Sequence, residues 1–576
     1  MNESLVRRDV PAAAVEALQT AGVRPVMARL LAARGIADAR ELGAELRALL
    51  PPDGLEGIDR AATLLADAAQ AAEPVLVVAD YDCDGATACA VAVRGLRALG
   101  LRADYLVPNR FEHGYGLTPP IVDLAARHPR LGRPAMIVTV DNGIASVDGV
   151  ERARELGIRV LVTDHHLPGE LLPRADAIVD PNQPGCGFAS KHLAGVGVMF
   201  YVLLALRAEL RRRGAFTDAR EPPLQSLLDL VALGTVADLV RLDRNNRLLV
   251  AAGLRRIRAG QGHAGVAALF AAAGRDPRRA TCADLGFALG PRINAAGRLA
   301  DITLGIECLL ADDAQRADEL ARQLDAMNRD RREIESRMRE EALADAGQFS
   351  AERMSLVVFR DDWHEGVIGL VASRLKERWH RPVIAFARSA TDAKVLRGSG
   401  RSIAGVHLRD LLDLVSKRHP SMIARFGGHA MAAGLTIDAN DLDAFSGALE
   451  AAVADSAEPG AFEQRLLTDG PLAPGEIDLD LVREIDQAVW GQGFPPPLFS
   501  DVAEVLSQRL VGERHLRLEL RLRAGRFAAI AFGRTEPLPA RALIAFRVAR
   551  NDYQGLASLQ LVVEACAPDD APPASR

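Results

Sequence analysis

Short apolar runs followed by polar clusters recur through the first half of the chain. Runs at 75–79, 136–140 and 159–163 are rich in β-branched residues, and each leads through polar residues into sequence with helical spacing. This alternation predicts a parallel α/β sheet, because the strands of such sheets are buried on both faces and therefore continuously apolar. Two further runs, 105–107 and 177–179, also end in polar motifs. Since open parallel sheets bind ligands beyond the carboxyl ends of their strands, these polar clusters are the candidate site.

The rest of the chain divides where the periodicity changes. Residues 1–70 carry apolar positions at helical spacing and predict a helical lead-in to a sheet domain at 71–310. Residues 311–347 contain neither Gly nor Pro until their end and predict one long connecting helix. Strand character resumes around a helical stretch at 350–455, which indicates a second, smaller α/β domain. Residues 460–576 contain short alternating strands, among them HLRLELRL, and predict a small β-barrel or sandwich with a frayed tail.

Composition sets the class of protein. The 576 residues are 49% hydrophobic and 25% charged, which fits several globular domains and excludes a disulfide-rich miniprotein or wholesale disorder. The six cysteines are scattered without a CxxC pair, which argues against a zinc-binding framework and a disulfide set. No apolar run reaches the ~18 residues of a membrane helix, and the start MNESLVRRDVP lacks the apolar core of a secretion signal. A cytoplasmic protein without membrane contact is expected, and its net charge of −6 requires a local basic patch for any polyanion.

An acidic cluster follows the first strand directly. Asp80, Asp82 and Asp84 alternate in the motif DYDCDG, so in extended chain their carboxylates point the same way. Like charges this close are unfavourable unless cations neutralise them, which points to divalent metal ions held by oxygen ligands. An acidic turn that caps the next helix through Asp84 or Thr87 accounts for this segment equally well.

The other strand ends repeat the arrangement. Asp141 follows the second strand, and His165 and His166 follow the third in the motif TDHH. Side chains at the carboxyl ends of neighbouring parallel strands converge on one crevice, so these residues can share a site with the acidic cluster. A further candidate, Asp238, comes near the end of the apolar run LLDLVALGTVADL, in which a Gly-Thr pair predicts a bend toward the site.

The donor types of this set indicate the metal and the reaction. Carboxylates and imidazoles without thiolates suit Mn²⁺ or Mg²⁺, and the imidazole favours Mn²⁺, with a single zinc ion as the weaker interpretation. Two ions roughly 3.5 to 4 Å apart would clamp an attacking oxygen and a phosphoryl oxygen. Hydrolysis of a phosphate ester is therefore the predicted reaction class.

Several motifs also resemble a known family. DYDCDG, TVDNG and TDHH, with Asp238 after them, are similar in order to the four motifs of the DHH phosphoesterases. Five further motifs resemble the single-strand-specific 5′ to 3′ DNA exonucleases of that family: PNRFEHGYGL (108–117), LAGVGV (193–198), GPRINAAGRL (290–299), GSGRS (398–402) and GGHAMAAG (427–434). The resemblance covers nearly the whole chain. It implies a DHH catalytic domain, a DHHA1-type nucleic-acid-binding domain at 350–455 and an oligonucleotide-binding barrel at 460–576.

The resemblance also implies roles for individual residues. The implied ligands of two Mn²⁺ or Mg²⁺ ions are Asp80, Asp82, Asp141, His165 and Asp238. His166 and Asp84 are the implied catalytic residues beside them. Other DHH enzymes often place a His shortly before the first Asp pair, whereas this chain has Val-Leu-Val at 75–77. One coordination position is therefore left for water or Asp84.

The remaining motifs imply contacts with a nucleic acid. GSGRS is interpreted as a Gly-spaced turn that holds a terminal phosphate through backbone N–H groups and a guanidinium. Tyr115 is expected to stack on a base, and His429 to face the cleft. The candidate contact residues are Arg110, Tyr115, Arg298, Ser399, Arg401 and His429.

The barrel carries arginines along its strands that allow two interpretations. They fit an oligonucleotide-binding face, but alternating Arg is equally typical of a solvated strand. These residues are Arg517, Arg521, Arg526, Arg547 and Arg550.

The implied activity is that of a single-strand-specific 5′ to 3′ DNA exonuclease, which releases 5′-mononucleotides in recombination and repair. The implied partners are single-stranded DNA with a 5′ end, single-strand-binding protein and a DNA helicase, and a monomer is expected. Two alternatives stay open. One is a DHH phosphodiesterase of short oligonucleotides or cyclic dinucleotides. The other is a catalytically silent DNA-binding scaffold, which would not need the full ligand set.

Overall fold

The computed structural model describes residues 4–43, 45–107, 115–216, 221–345, 353–389, 392–553 and 556–568. Contacts divide the chain into two compact units. The first, which we call the sheet unit, comprises Asp9–Asn328 and Asp478–Pro497. The second, the barrel unit, comprises residues 4–8, 329–477 and 498–568. Among the described residues, no helix is both long enough and apolar enough to cross a membrane.

The strands fall into one parallel sheet, one mixed sheet, one closed barrel and one two-stranded pair. Their bounds are β1 Ser4–Arg7, β2 Pro74–Ala79, β3 Arg102–Leu106, β4 Met136–Val140, β5 Arg159–Thr163, β6 Ala177–Val179, β7 Leu356–Phe359, β8 Val383–Arg388, β9 Val395–Arg401, β10 Arg425–Gly428, β11 Ala432–Asp438, β12 Arg465–Thr468, β13 Phe499–Val511, β14 His515–Leu522, β15 Gly525–Ala531, β16 Arg541–Tyr553 and β17 Leu556–Pro568.

The helices include the long one that the sequence predicts, which is α13 below. Their bounds are α1 Ala12–Thr20, α2 Pro25–Ala32, α3 Ile58–Gln70, α4 Cys83–Ala98, α5 Pro119–Ala125, α6 Val147–Glu155, α7 Gly195–Arg212, α8 Leu228–Ala237, α9 Arg244–Arg258, α10 Ala264–Ala272, α11 Gly290–Leu299, α12 Thr303–Leu310, α13 Ala314–Asp345, α14 Ile368–Trp379, α15 Leu408–Arg418, α16 Leu442–Ser456 and α17 Leu479–Gln487. A π-helical turn, Asp284–Leu289, precedes α11.

The sheet unit is built on five parallel strands in the order β3-β2-β4-β5-β6, which confirms the predicted α/β class. Its strands are apolar because both faces are covered, and Leu76, Ile137 and Val160 are fully buried. Helix α4 contacts β2 and β3, and α7 contacts β4 and β5. The strands therefore present only their carboxyl ends as a polar edge.

One helix of the sheet unit differs from the sequence prediction. The structure shows α8 as one helix that continues through Gly234, so the helix is not interrupted where the sequence analysis placed a bend. Gly234 serves a close approach instead, because a Cβ at this position would lie 2.1 Å from Thr87 Oγ1 and 2.8 Å from Asp84 Oδ1. The missing side chain lets α8 pack directly against α4.

The lead-in contains a strand that its helical spacing did not predict. Helices α1 to α3 lie in this region, but Ser4–Arg7 forms β1. This strand pairs in parallel with β12, with Ser4 opposite Arg465. Local periodicity carries no information on a partner so distant in sequence.

The barrel unit contains a mixed sheet in the order β10-β11-β9-β8-β7, in which β7 and β8 are parallel and the other neighbours antiparallel. The predicted GSGRS turn is wrong, because residues 398–401 lie inside β9, between β8 and β11. Their backbone groups face neighbouring strands. A Cβ at Gly398 would lie 2.5 Å from the Phe386 ring and 2.6 Å from Leu435, so this glycine fits the strand to its core.

The last strands close a barrel in the order β13-β14-β15-β17-β16, which confirms the predicted C-terminal barrel. β14 is the strand HLRLELRL, and its alternation is explained by burial of every second residue. The leucines that fill the barrel from this strand are Leu516, Leu518, Leu520 and Leu522.

Candidate metal centre and nucleic-acid interface

The strand register brings the acidic motifs of the sheet unit together. Ala79 pairs with Val140, and Val140 pairs with Thr163, so β2, β4 and β5 end side by side. The next residue of each strand is an aspartate, Asp80, Asp141 or Asp164. Three carboxylates therefore lie at one edge, as the sequence predicts for a parallel sheet.

His165 lies at the centre of the candidate site. Its Nε2 atom is 3.0 Å from Asp141 Oδ1, 3.6 Å from Asp238 Oδ2 and 4.0 Å from Asp84 Oδ2. Two overlapping groups have ligand atoms within 4.8 Å of one another, namely Asp141-His165-His166 and Asp84-His165-Asp238. Because the two groups overlap at His165, carboxylates from both lie close to one position at which divalent ions could be held.

Several polar atoms at this edge lack a hydrogen-bond partner among the described residues. They are Asp80 Oδ1, Asp141 Oδ1, His165 Nε2 and Asp238 Oδ2, all of them buried. The short Asp141–His165 distance does not meet hydrogen-bond geometry. Buried polar atoms are normally paired, so this set indicates a missing ligand. Carboxylate oxygens and one imidazole nitrogen are donors that suit Mn²⁺ and Mg²⁺.

The electrostatics of the cluster also favour a cation. Burial, with the charge of Asp82, raises the pKa of Asp80 to about 7 and that of Asp238 to about 7. The pKa values of Asp84 and Asp141 are raised as well, first by burial and then by neighbouring carboxylates. Without cations the charged forms are disfavoured, and divalent ions would relieve this repulsion.

The two histidines have opposite properties. Burial and the charge of His166 lower the pKa of His165 to about 4, so its ring is neutral and can ligate through Nε2. Burial opposes protonation of His166 too, but its 2.7 Å hydrogen bond to Asp164 and the nearby carboxylates raise its pKa to about 9. His165 therefore has the properties of a metal ligand, and His166 those of a protonated, partly exposed ring.

Asp164 orders the TDHH segment, a role that the sequence did not predict. Its carboxylate accepts the backbone N–H of Ile144 at 2.9 Å and of His165 at 2.7 Å, besides the His166 ring. Although burial opposes it, the hydrogen bond and charge of His166 hold the pKa of Asp164 below its usual value. The TDHH motif includes Asp164, but the sequence does not show which groups its carboxylate contacts.

Asp82 and Asp84 make different contacts within the acidic motif. Asp82 Oδ1 accepts the backbone N–H groups of Asp84 and Gly85 and caps α4, so a helix cap exists but not at the residues predicted. Asp84 is fully buried, and its carboxylate accepts the N–H groups of Gly195 at 2.6 Å and Val196 at 3.0 Å. The start of α7 thereby orients Asp84 toward the cluster.

Small and amide side chains outside the acidic motifs support the site. A Cβ at Gly195 would lie 2.6 Å from the Asp141 side chain. Asn294 Oδ1 accepts the backbone N–H of Cys83 at 2.7 Å, and Asn182 Nδ2 donates to the His165 carbonyl at 2.6 Å. Sequence reasoning missed both asparagines, although Asn294 lies in GPRINAAGRL.

Two of the predicted nucleic-acid contacts belong to the sheet unit. Tyr115 is 58% exposed, interacts with the Asp80 carboxylate and sets its ring edge-to-face against those of Tyr81 and His166, at 5.9 and 6.3 Å. Arg298 is half-buried on α11. The residue before it, Gly297, lies so close to Tyr81 that a Cβ on the glycine would be 2.0 Å from the Tyr81 carbonyl oxygen. Arg110 lies outside the described residues.

The other predicted contacts belong to the barrel unit. Arg401 Nη1 donates to Ser399 Oγ at 3.1 Å on β9. A Cβ at Gly369, in the first turn of α14, would lie 2.9 Å from Ser399 Oγ and 3.0 Å from Arg401 Nη2. A hydroxyl, a guanidinium and a helix N-terminus thus meet, which suits an anion. His429 is exposed in the loop that joins β10 to β11. The first residue of β11, Ala432, is paired with Arg401.

Family comparisons match three segments of the chain. The DHH family, N-terminal domain, matches residues 74–235, the DHHA1 domain matches residues 353–455, and the RecJ OB domain matches residues 468–565. In Escherichia coli, the single-stranded-DNA-specific exonuclease RecJ is 46% identical over 555 residues, which cover 94% of this chain and 95% of that protein.

Solved structures are similar over nearly the full length. The structure of RecJ from Thermus thermophilus in complex with Mn²⁺ covers 99% of this chain and 80% of that chain, with 30% identity and a TM-score of 0.82. The corresponding complex with Mg²⁺ is 28% identical, with a TM-score of 0.77 and coverage of 99% and 79%. With the fold, the order of motifs and this level of identity in agreement, the chain belongs to the RecJ family of DHH phosphoesterases.

Proposed function

We propose that this protein is a metal-dependent exonuclease that degrades single-stranded DNA. The observation that carries the proposal is a set of four buried polar atoms that have no hydrogen-bond partner in the described part of the chain, contributed by Asp80, Asp141, His165 and Asp238. A catalytically silent scaffold would have no reason to keep such a set, because buried polar atoms without partners destabilise a fold.

The proposed ligands of Mn²⁺ or Mg²⁺ are Asp80, Asp82, Asp141, His165 and Asp238, with Asp84 as a further carboxylate in contact with the cluster. The ions would generate the nucleophile from water and neutralise the charge that develops on the phosphoryl oxygens. Asp141 is the proposed shared ligand, because a carboxylate has two oxygens that can act as ligands and its Oδ1 atom lies only 3.0 Å from His165 Nε2.

His166 is the proposed catalytic cation. Asp164 holds its Nδ1 atom, which leaves the other ring nitrogen for the substrate. A protonated ring in this position stabilises a phosphoryl oxygen and can give its proton to the leaving oxygen. Its partial exposure, 36% of the side chain, allows this contact.

The proposed polarity is 5′ to 3′, with release of 5′-mononucleotides. Support comes from the anion-binding group of the barrel unit, formed by Ser399, Arg401 and the start of α14, which suits a terminal phosphate. Tyr115, Arg298, His429 and Arg110 are proposed as further contacts with the strand. A monomeric state, a cytoplasmic location and cooperation with single-strand-binding protein and a helicase stay predictions from the sequence.

The test is metal-supplemented digestion of end-labelled DNA, both single-stranded and duplex, with either end blocked. We expect mononucleotide release from single strands only, in Mn²⁺ or Mg²⁺ but not in EDTA, and inhibition by a block at the 5′ end. Release from a 5′-blocked strand would contradict the polarity. Activity confined to dinucleotides would favour a short-oligonucleotide phosphodiesterase, and the absence of any metal-dependent cleavage would favour a scaffold.

A further inference from the structure

An exposed aromatic ring lies on the element next to the proposed metal ligands. Phe287 is 74% exposed, whereas Leu285 and Leu289 on the same π-helical turn are fully buried. Burying a phenyl ring stabilises a fold by ~1.5–3 kcal/mol relative to leaving it in water, so the fold gains little from this side chain. Its position therefore calls for an explanation outside the core.

The turn that carries Phe287 is held firmly at its start. Thr281 donates its N–H and its hydroxyl to Asp284 Oδ2, at 2.9 and 2.8 Å. The Asp284 N–H donates back to Thr281 Oγ1 at 3.2 Å, which completes a reciprocal cap. π-helical turns are less stable than α-helical ones and are frequent at functional sites.

Two glycines, one in the turn and one directly after it, lie against the end of α8, just before Asp238. A Cβ at Gly286 would lie 3.3 Å from Val236, and one at Gly290 3.0 Å from Ala237, the residue directly before Asp238. The turn then continues into α11, where Asn294 holds the Cys83 N–H of the acidic motif. Phe287 therefore lies on a segment that contacts both the end of α8 before Asp238 and, through Asn294, the acidic motif.

A second exposed apolar side chain follows Asp238 directly. Leu239 is 63% exposed and has φ of 62°, in the left-handed region that a leucine rarely adopts. Such a conformation persists only where the surroundings impose it, often at ligand contacts. Two large apolar side chains therefore lie exposed on the two segments that adjoin this carboxylate.

We propose that Phe287 is a stacking platform for an unpaired nucleobase of the bound strand, with Leu239 as a second apolar contact. The inference rests on the proposed function and names how the same site selects its substrate. Every base offers a π face, so stacking tolerates any sequence. Bases in a duplex are already stacked and paired, so the platform favours single strands.

The test compares Phe287→Ala with wild type on a single-stranded oligonucleotide. We expect the variant to bind about 10-fold more weakly in EDTA and to show a KM raised by about the same factor, with kcat within about 2-fold of wild type. Phe287→Trp should restore binding, while Phe287→Leu should not. Leu171→Ala, which removes an exposed apolar side chain elsewhere on the sheet unit, is the matched control and should change neither constant.

Abasic substrates separate this inference from the proposed function. On an oligonucleotide that lacks bases near its 5′ end, wild type and Phe287→Ala should have the same affinity and KM. If wild type does not cleave the single strand that carries all its bases, the proposed function is overturned. An active wild type together with unchanged binding by Phe287→Ala and Phe287→Leu, both folded by their melting temperatures, would overturn this inference alone.

Discussion

The metal site of the sheet unit and the strands of the barrel handle charge in opposite ways. At the metal site, carboxylates are buried together, and several of their oxygens have no partner in the described structure. On the barrel, exposed arginines pair with carboxylates of the same barrel. These pairs are Arg521–Glu504, Arg526–Glu519, Arg547–Glu564 and Arg550–Asp552.

The contrast shows which charges are available to a ligand. Buried carboxylates without partners raise the free energy of the metal-free site. Because a bound cation removes this cost, the cation binds more tightly. Exposed pairs are already neutralised and contribute ~0–1 kcal/mol each. Four of the five alternating arginines of the barrel are therefore paired as on a solvated strand face, and the oligonucleotide-binding interpretation stays a prediction.

The largest effect is expected from Asp141→Asn. Loss of the carboxylate nearest to His165 should lower turnover of single-stranded DNA by on the order of 10³-fold, because the ions lose a shared ligand. Asp141 has φ of 62°, and Asn adopts this conformation readily, so the fold should be retained. Turnover is compared in Mn²⁺, with Asp312→Asn, an exposed aspartate of the same unit, as the control. Normal turnover by Asp141→Asn would remove the metal site from the mechanism.

Asp238→Asn should stabilise the metal-free protein while impairing the enzyme. A carboxyl whose folded pKa is raised to about 7 destabilises the fold as pH rises from about 4 through 7, since the charged form is disfavoured there. At ~1.4 kcal/mol per pKa unit, the rise from 3.8 to about 7 corresponds to a gain of roughly 4 kcal/mol at pH 8 and little at pH 4. Urea unfolding in EDTA measures it, with Asp123→Asn as the exposed control. Equal stability of the variant and wild type at pH 8 would show that the carboxylates do not strain the empty site.

Arg401→Gln should reduce the preference for a 5′-phosphorylated strand over a 5′-hydroxyl strand by about 10-fold, because a charge-assisted contact is lost. The ratio of kcat/KM on the two substrates measures this preference. Arg418→Gln, which removes an exposed pair with Asp455 in the same unit, should leave the ratio unchanged. A ratio unaffected by Arg401→Gln would exclude the β9 group as the phosphate contact.

The smallest effect is expected on the barrel. Arg521→Gln and Arg526→Gln should each weaken binding of single-stranded DNA less than about 2-fold, because their charges already serve pairs with Glu504 and Glu519. Binding is measured over a range of salt concentrations. A clear fall in affinity together with a shallower salt dependence would show that these arginines contact phosphates after all.

The sequence predicted those parts of the fold and site that local pattern and strand order determine. Residues 136–140 and 159–163 are strands to the residue, and the aspartates and histidine after them meet as expected. Contacts that depend on packing were not predictable. Gly234 was expected to bend a helix, whereas its missing side chain leaves room for the Asp84 carboxylate. Gly398 was expected in a turn, whereas it lies in a strand against the Phe386 ring.

The pairing of β1 with β12 has a consequence for how the chain is made. More than 450 residues separate the two strands, and most of the intervening chain belongs to the sheet unit. At about 5 to 20 residues per second, the first strand is synthesised roughly 20 to 90 seconds before its partner. Fragments that end before β12 lack this pairing, so truncation should be designed around both strands together.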